Sequence, residues 1–280
     1  MALNIQTNIS SLTAQINVQR NQSNLMSSFQ KLSSGYRVNS AADDAAGLAI
    51  SESMKSQIRS YTVAQRNAAD GISMSQTAEG ALGEIHDVLG RMRELGMQAA
   101  NGSLTSTDRL AVSKEFTSLQ DEIGRIQGST KFNNTQLIDN PGTPKTVKFQ
   151  VGLGNDANDQ ISVDFENVDL TDVTTAGTTL VTGTDGTNAL TALANIDIAI
   201  GKVSDARSGF GAAINRLQVA TNTIQTMSLN LSSANSRIRD VDVAAETANM
   251  ARNQVLTQAG VSVLAQANQL PQLAFGLIGR

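Results

Sequence analysis

The amino-acid sequence predicts a mainly α protein, in which long antiparallel helices pack as a coiled-coil bundle with a small β-hairpin region in the middle of the chain. The first observation is a largely apolar seam at alternating spacings of three and four, which runs from 193 to 231 without a proline and is typical of a long helix packed against partner helices. The second is a composition with 3% aromatic residues and no Trp, which favours seams of Leu, Ile and Ala over a large enclosed core. The third is a change to strictly alternating polar and apolar residues after Gly128, which indicates strands.

The central seam predicts a helix of roughly 57 Å, too long to be buried by a compact domain. Two upstream segments repeat its spacing and are its predicted partners, and the flanks of all three are largely Ala, Ser, Thr, Asn and Gln. Small, uncharged flanks indicate helices that touch neighbours on more than one side. The central seam consists of Leu193, Ile196, Ile200, Val203, Arg207, Phe210, Ile214, Leu217, Thr221, Ile224, Ser228 and Leu231. The partner seams are Ala78, Leu82, Ile85, Leu89, Met92, Gly96 and Ala99, followed by Val112, Phe116, Leu119, Ile123 and Ile126.

Composition narrows the classes of function. Charged residues make up 16% of the chain, against about 25% in an ordinary soluble protein, and the net charge of -4 argues against a nucleic-acid surface. The chain has no Cys and one His, which leaves little for thiol, metal or acid–base chemistry, so we expect no cofactor. No apolar run approaches a membrane span, and the N-terminus lacks the pattern of a cleaved secretory signal. We therefore expect a cytoplasmic protein, or one exported without a cleaved signal.

The N-terminal segment predicts an amphipathic helix with a weak middle. Its apolar positions are spaced four, three, four in two quartets, and between them the seam lapses into Gln19 and Ser23. Gly35 is a suitable stop for this helix, and Asn39-Ser40 before Ala41 is a suitable start for the next. The two quartets are Ile5, Ile9, Leu12 and Ile16, then Leu25, Phe29, Leu32 and Tyr36.

The second helix is predicted to continue unbroken to Ala100, with Asn101-Gly102-Ser103 ending it and Ser106-Thr107-Asp108 opening the third. Alternation in 146–151 and 161–165, separated by a stretch rich in Gly, Asn and Asp, predicts a β-hairpin at about 145–166. The Thr- and Gly-rich stretch after it predicts a short variable loop at about 167–188, with too few apolar residues to add to a core.

The C-terminal segment is predicted to be helical from Ile238 to Ala267 and to break at Pro271. Both ends of the chain then carry apolar stripes that have no internal core to cover them. Such helices can pair with each other and then with further copies of the chain. The stripe of the C-terminal helix contains Val255, Ala259, Val263, Ala267 and Leu270.

Candidate chemical motifs have simpler structural explanations. Asp43 and Asp44 are adjacent, and neighbours on a helix point about 100° apart, so helix capping and polar contacts between subunits are favoured over a catalytic carboxylate pair. The glycines at 152 and 154 lead into a strand rather than a helix, which indicates a turn and not a dinucleotide loop. The following Asp156 and Asp159 lack the Gly and distal Glu of a calcium loop. We expect no catalytic site and no metal.

Five segments then identify a family. Residues 32–50 (LSSGYRVNSAADDAAGLAI) resemble bacterial flagellin, the subunit of the flagellar filament. Residues 248–252 (ANMAR) and 258–272 (QAGVSVLAQANQLPQ) are similar to its C-terminus, and residues 91–95 (RMREL) and 211–217 (GAAINRL) to its inner segments. The matches cover both halves of the chain in the order that the family has, so the resemblance is highly specific.

The resemblance implies a short flagellin made of inner domains alone. Residues 1–44 and 236–280 are then paired terminal helices of a filament-core domain, and 45–235 are a long-helix bundle with the hairpin and the loop. The implied function is self-polymerisation into the extracellular filament for swimming motility, after export by the flagellar apparatus. The implied partners are other copies, hook-associated junction and cap proteins, an export chaperone and the export apparatus, and a vertebrate innate immune receptor, with no nucleic acid or membrane. Alternatives are a hook-filament junction protein and, from another class, a soluble helical binding module.

Two departures from the family bear on the sites. The chain ends Leu277-Ile278-Gly279-Arg280 where many relatives end Leu-Leu-Arg, and the third helix matches loosely. The resemblance implies receptor contacts at Arg91 and Leu95, and, by counting back from a family anchor at 130–133, at Glu115. Residues assigned to subunit assembly are Ile5, Ile9, Leu12, Ile16, Leu25, Phe29, Leu32, Asp43, Asp44, Val255, Val263, Leu264, Leu270 and Leu273.

Overall fold

The computed structural model describes residues 7–138, 145–165, 168–175 and 187–278, the last nine of these by their backbone. Long helices dominate these ranges and two small antiparallel hairpins accompany them, which confirms the predicted fold class. In chain order the elements are α1 (Ile9–Ser34), α2 (Ala45–Ala100), α3 (Ser106–Ser129), β1 (Lys131–Phe132), β2 (Thr135–Gln136), β3 (Lys145–Gln150), β4 (Gln160–Phe165), α4 (Thr171–Thr174), α5 (Thr187–Arg239) and α6 (Val243–Ile278). Within the described ranges, every helix falls short of the continuous apolar length that crosses a lipid bilayer.

The chain divides into two compact units. The terminal unit contains Met1–Ile58 and Leu229–Arg280, and the bundle unit contains Arg59–Ser228. Helices α2 and α5 contribute to both, since each runs past a boundary between the units.

The core of the bundle unit lies along α2 and α5. The predicted seam from Ala78 to Ala99 is buried throughout, as predicted. On α5 the predicted seam is buried at only five positions, namely Ile196, Val203, Phe210, Leu217 and Ile224. The residues that alternate with these in the core are alanines, and Leu193, Ile200, Ile214 and Leu231 are half-buried. Alanine lets helix backbones approach closely, which explains this shift of the seam by one position. The buried residues of α5 are Ala189, Ala192, Ile196, Ala199, Val203, Ala206, Phe210, Ala213, Leu217 and Ile224.

Polar residues of α3 hold the stretch that follows β4. Of the predicted α3 seam only Phe116 and Ile123 are fully buried. Gln120 Nε2 donates to the Val173 carbonyl (2.5 Å), and Gln127 Nε2 donates to the Val168 carbonyl (3.1 Å). The expectation that 166–188 adds nothing to the core is therefore wrong for the described residues 168–173, because Val168, Leu170 and Val173 are buried there. Hydrogen bonds to its main chain hold a segment that lacks apolar periodicity.

Both hairpins have simple local causes. The predicted hairpin is present as β3 and β4, with Val147 opposite Val163 in antiparallel register. The second, β1 with β2, was not predicted. Its two turn residues, Asn133 and Asn134, have positive φ angles of 45° and 63°, as a two-residue type I′ turn requires, and Asn tolerates this conformation better than most residues.

The predicted helix ends are confirmed at Gly35, Ala100 and Ser106, whereas the predicted starts of α2 and α6 are wrong. Gly35 ends α1 in the left-handed conformation (φ 75°) as predicted. Helix α2 begins at Ala45 and not at Ala41, because the Asp44 carboxylate accepts from the Gly47 N–H (2.8 Å) and caps it there. Helix α5 continues to Arg239, so α6 begins at Val243 and not at Ile238.

Helix α6 continues through Pro271 to Ile278, where the sequence predicted a break. Pro271 has no N–H, so the carbonyl four residues earlier, that of Ala267, lacks its helical donor. The Asn8 Nδ2 amide donates to this carbonyl instead (2.7 Å). A side chain at the start of α1 therefore fills the gap that the proline leaves in α6.

Candidate assembly surface

Helices α1 and α6 pack against each other through small and polar residues. Val18 is 9% exposed and meets Gly260, where an added Cβ atom would lie 2.7 Å from Val18 Cγ2. Further along, Ser11 Oγ donates to Asn268 Oδ1 (2.6 Å). The glycine allows close approach of the two backbones. The face of α1 that contacts α6 therefore excludes the exposed apolar residues of the predicted stripe, among them Leu12 and Phe29.

The apolar face of α1 is exposed to solvent in the single chain. The predicted assembly residues whose side chains are exposed range from 45% (Ile16) to 67% (Phe29). Leu25, Leu32 and Leu264 are half-buried. The predicted assembly residues that are exposed are Ile9, Leu12, Ile16 and Phe29 on α1 and Val255 and Val263 on α6. Ile5 lies outside the described residues, and Leu270 and Leu273 belong to the part of α6 that is described by its backbone alone.

Met26 belongs to this exposed face and was missed. It follows Leu12 by two heptads, so the two side chains occupy the same position in a 3.5-residue repeat, and it is 74% exposed. The sequence carried a signal for the true packing face as well: Val18, Leu25 and Leu32 are spaced by seven. The predicted stripe contains Leu25 and Leu32 at mixed spacing and omits Val18, so the heptad was missed.

Asp43 and Asp44 are engaged in local structure. Asp43 Oδ2 accepts hydrogen bonds from the Ser40 N–H (2.9 Å), the Ser40 hydroxyl (3.0 Å) and the Asn39 N–H (3.1 Å). The Ser40 backbone bond is the largest cause of a lowered pKa for the Asp43 carboxyl, followed by the Ser40 hydroxyl. Asp44 caps α2 as described above. The two carboxylates thus bind separate N–H groups and do not converge on a common point.

The link between α1 and α2 is bound to the link between α5 and α6. The Arg37 N–H donates to the Arg239 carbonyl (2.6 Å), and the Val241 N–H donates to the Gly35 carbonyl (3.0 Å). The Arg239 guanidinium lies 4.6 Å from the centre of the Tyr36 ring, which places a cation over an aromatic face. Arg239 Nη1 also pairs with Glu52 Oε1 (2.5 Å). These contacts hold the two links together within the terminal unit. No motif in the sequence predicted them.

The residues assigned to receptor contact divide into an exposed pair and a buried residue. Arg91 donates to Glu115 Oε1 through Nε (3.0 Å) and Nη2 (2.8 Å), and its Nη1 donates to Glu94 Oε2 (2.9 Å). The hydrogen bond to Glu115 is the main cause of a raised pKa for Arg91. Leu95 is 2% exposed, so its side chain packs in the bundle core and leaves almost no surface for a partner.

In residues 7–138, 145–165, 168–175 and 187–278, no three His, Asp or Glu side chains converge as ligands of one ion would.

Comparisons with known proteins agree with the sequence motifs. Residues 5–143 match the model of the bacterial flagellin N-terminal helical region, and residues 193–278 match that of the C-terminal helical region. The chain is 44% identical to a flagellin of Halalkalibacterium halodurans, over 98% of this chain and 99% of the relative. It is 39% identical to a flagellin of Bacillus subtilis, over 99% of this chain and all of the relative.

A solved structure shares the fold alone. The putative flagellar hook-associated protein from Vibrio parahaemolyticus superimposes with a TM-score of 0.57 at 17% identity, over 71% of this chain and all of that one. The family is shown by the two matched regions and by the relatives that align along their whole length. The chain belongs to the bacterial flagellin family.

Proposed function

We propose that this chain assembles into its filament by burying the exposed apolar faces of α1 and α6 against neighbouring copies. As a flagellin it is a structural subunit of the bacterial flagellar filament, which lies outside the cell and serves motility. The observation that carries the proposal is the exposure of Ile9, Leu12, Ile16 and Phe29 on one helix. Isolated exposed apolar residues are ordinary, but several of them on one helix mark an interface.

The energy available from these side chains fits assembly. Full burial of a Val, Leu, Ile or Phe side chain contributes roughly 1.5–3 kcal/mol. Because the six exposed assembly residues are already partly covered, they offer about 5–10 kcal/mol per subunit once neighbours cover the rest. A helical polymer repeats this gain at every added copy, so growth is favoured although each single interface is modest.

The proposal divides the chain into a filament-core domain, residues 1–44 with 236–280, and an outer bundle, residues 45–235. What supports this division is the distribution of buried apolar side chains. Every member of the main buried cluster of the described residues lies between Ala64 and Ile224. The outer bundle thus has a core of its own, and the terminal helices require partners.

The proposed role is structural and non-catalytic, and it depends on contacts with other copies. Contacts with hook-associated junction and cap proteins, with an export chaperone and with the export apparatus are proposed from family membership. Neither alternative, a junction protein or a soluble binding module, gains support from the comparisons, since the hook-associated structure shares only the fold.

Seeded polymerisation of variants tests the assembly face. Leu12→Asn combined with Val263→Asn places two amides on the proposed interface without touching the α1–α6 contact at Val18. Leu190→Asn is the matched control, because Leu190 is 61% exposed in the bundle unit. We expect the double variant to fold, by circular dichroism, and to form no filaments by electron microscopy, while the control assembles normally. Filaments of normal length from the double variant would contradict the proposal.

A receptor contact at Arg91 and Glu115 is the second proposal. It is favoured by the pairing of these two residues on an exposed surface, at a distance of 2.8 Å. The guanidinium is then pre-oriented for a carboxylate or carbonyl of a partner. We expect Arg91→Ala monomer to activate the innate receptor less than parent monomer, and stabilised filament not to activate it. Equal activation by all three preparations would remove this site and leave the filament assignment unchanged.

A further inference from the structure

The sulfur chemistry of this chain is confined to methionine, because it contains no Cys. Methionines in the bundle core, Met74 and Met92, are buried. Met26 is 74% exposed, and Met97 and Met227 are exposed to lesser degrees. Of these three, Met26 alone lies on the proposed assembly face, three residues before Phe29 and therefore beside it on the helix surface.

We propose that Met26 is a redox-sensitive site, at which oxidation by peroxide removes a subunit from the pool that can assemble. The inference rests on the proposed function, because it requires α1 to be buried between copies. The sulfur attacks one oxygen of hydrogen peroxide and the O–O bond breaks. The product is methionine sulfoxide, the sulfur is oxidised by two electrons, and the departing hydroxide takes up the remaining proton and leaves as water.

The consequence of the new oxygen follows from its environment. A thioether packs well in an apolar interface, but the sulfoxide oxygen is a strong hydrogen-bond acceptor. On the helix surface Met26 lies beside Phe29, which offers no donor, and beside the donors Ser23 and Gln30, which are exposed to water in the free subunit. When a neighbouring copy covers this face, the oxygen loses its water and a polar group replaces an apolar contact, which we expect to weaken the interface by about tenfold. In the free subunit the same oxygen points into water, so the fold of the monomer is unchanged.

Assembly should protect Met26 from peroxide. A sulfur that is covered by a neighbouring copy is not reached by peroxide, whereas the sulfur of a free subunit is. The site therefore acts before assembly: it excludes damaged subunits from growth and leaves existing filaments intact.

Peroxide treatment of monomer, followed by seeded growth, tests the site. Three chains are compared: the parent, Met26→Leu, which keeps the volume and removes the sulfur, and Met97→Leu as the matched control. We expect peroxide to slow elongation of the parent and of Met97→Leu by about tenfold or more, and to leave Met26→Leu unaffected. Methionine sulfoxide reductase should restore growth of the oxidised parent without any substitution. Equal slowing of Met26→Leu, or normal growth of parent in which mass spectrometry finds Met26 fully oxidised, would overturn the inference.

Oxidation of preformed filaments separates this inference from the proposed function. Reaction of Met26 in filaments at the rate seen in monomer would contradict both, since α1 would then not be covered. Protection of Met26 in filaments, together with normal growth of oxidised monomer, would contradict the redox site alone.

Discussion

Helices α2 and α5 of the bundle unit and helices α1 and α6 of the terminal unit carry apolar residues at the same spacings, yet they use them in opposite ways. In the bundle, Leu82, Leu89 and Leu217 are fully buried within the chain. In the terminal unit, Leu12 and Phe29 point into solvent. Among described residues of the terminal unit, the buried apolar side chains are Val18, Val38 and Ala267.

The difference shows that a heptad pattern alone does not reveal whether its apolar residues are buried within the chain or against another molecule. On α2 the pattern is covered by other parts of the same chain, and it stabilises a fold. On α1 the chain supplies a partner for the small and polar side instead, through Gly260 and Asn268. The apolar side is left for another molecule, so the same signal specifies an interface.

The largest expected effect comes from removing α6. Deletion of residues 239–280 should abolish polymerisation, because one half of the paired terminal helices is lost, and should leave the bundle folded around its own core. Sedimentation and electron microscopy measure polymerisation, and thermal unfolding followed by circular dichroism shows whether the bundle is folded. Long filaments from the deleted chain would show that the terminal unit is not the assembly domain.

Paired leucine substitutions sharpen the comparison. Leu89→Ala should lower the free energy of unfolding of the monomer by about 2–5 kcal/mol, because it opens a cavity in a packed core. Leu12→Ala should change it by no more than about 0.5 kcal/mol, as for an exposed position, yet slow seeded growth. Denaturant unfolding of the two monomers gives both values, and similar losses would mean that α1 is covered within the chain.

The close approach of α1 and α6 can be broken at one glycine. Gly260→Ala should weaken the pairing by about 1–3 kcal/mol, because the new Cβ meets Val18 and a β-branched side chain has few rotamers to escape into. Val18→Ala should restore part of the loss. Gly201→Ala is the control, since nothing lies within 4 Å of a Cβ at that position. Hydrogen exchange along α6 measures the effect, and unchanged protection in Gly260→Ala would contradict the packing.

A smaller effect is expected at the hydrogen bond between Asn8 and Ala267. Asn8→Ala should cost about 1 kcal/mol, because it removes both the cap of α1 and the donor to the free carbonyl. Pro271→Ala returns an N–H to the helix, so the loss on Asn8→Ala should be smaller in that background. A double-mutant cycle from denaturant unfolding measures the coupling, and strict additivity would show that the two residues act separately.

The smallest expected effect is the loss, at acid pH, of the stabilisation that the Asp43 carboxylate gives to the link between α1 and α2. The pKa of Asp43 is lowered from 3.8 in the folded chain, first by the Ser40 N–H. A depressed folded pKa means that the unfolded link binds protons more readily, so the stabilisation is present above about pH 3.8 and is lost as the pH falls through the folded value. NMR shifts of the Ser40 and Asn39 amides should follow this titration, and Asp43→Asn should abolish it. Shifts that persist in the variant would assign the change to another group.

How far the sequence was informative differed between the regions. The α2 seam, the stop at Gly35 and the hairpin of β3 and β4 were predictable, because each depends on local periodicity or on one residue's backbone preference. The stretch 168–173 was not, since it is held by Gln120 and Gln127 from α3, about 40 to 50 positions away in the chain. The exposed face of α1 was recognised as apolar, but the heptad of Val18 faced α6 and was overlooked.

The bond from Asn8 to Ala267 makes the two ends of the chain depend on each other. A subunit that lacks Asn8 loses the donor to the Ala267 carbonyl beside Pro271, so a loss at the start of α1 is expected to weaken α6. We therefore expect the start of α1 and the end of α6 to lose their order together.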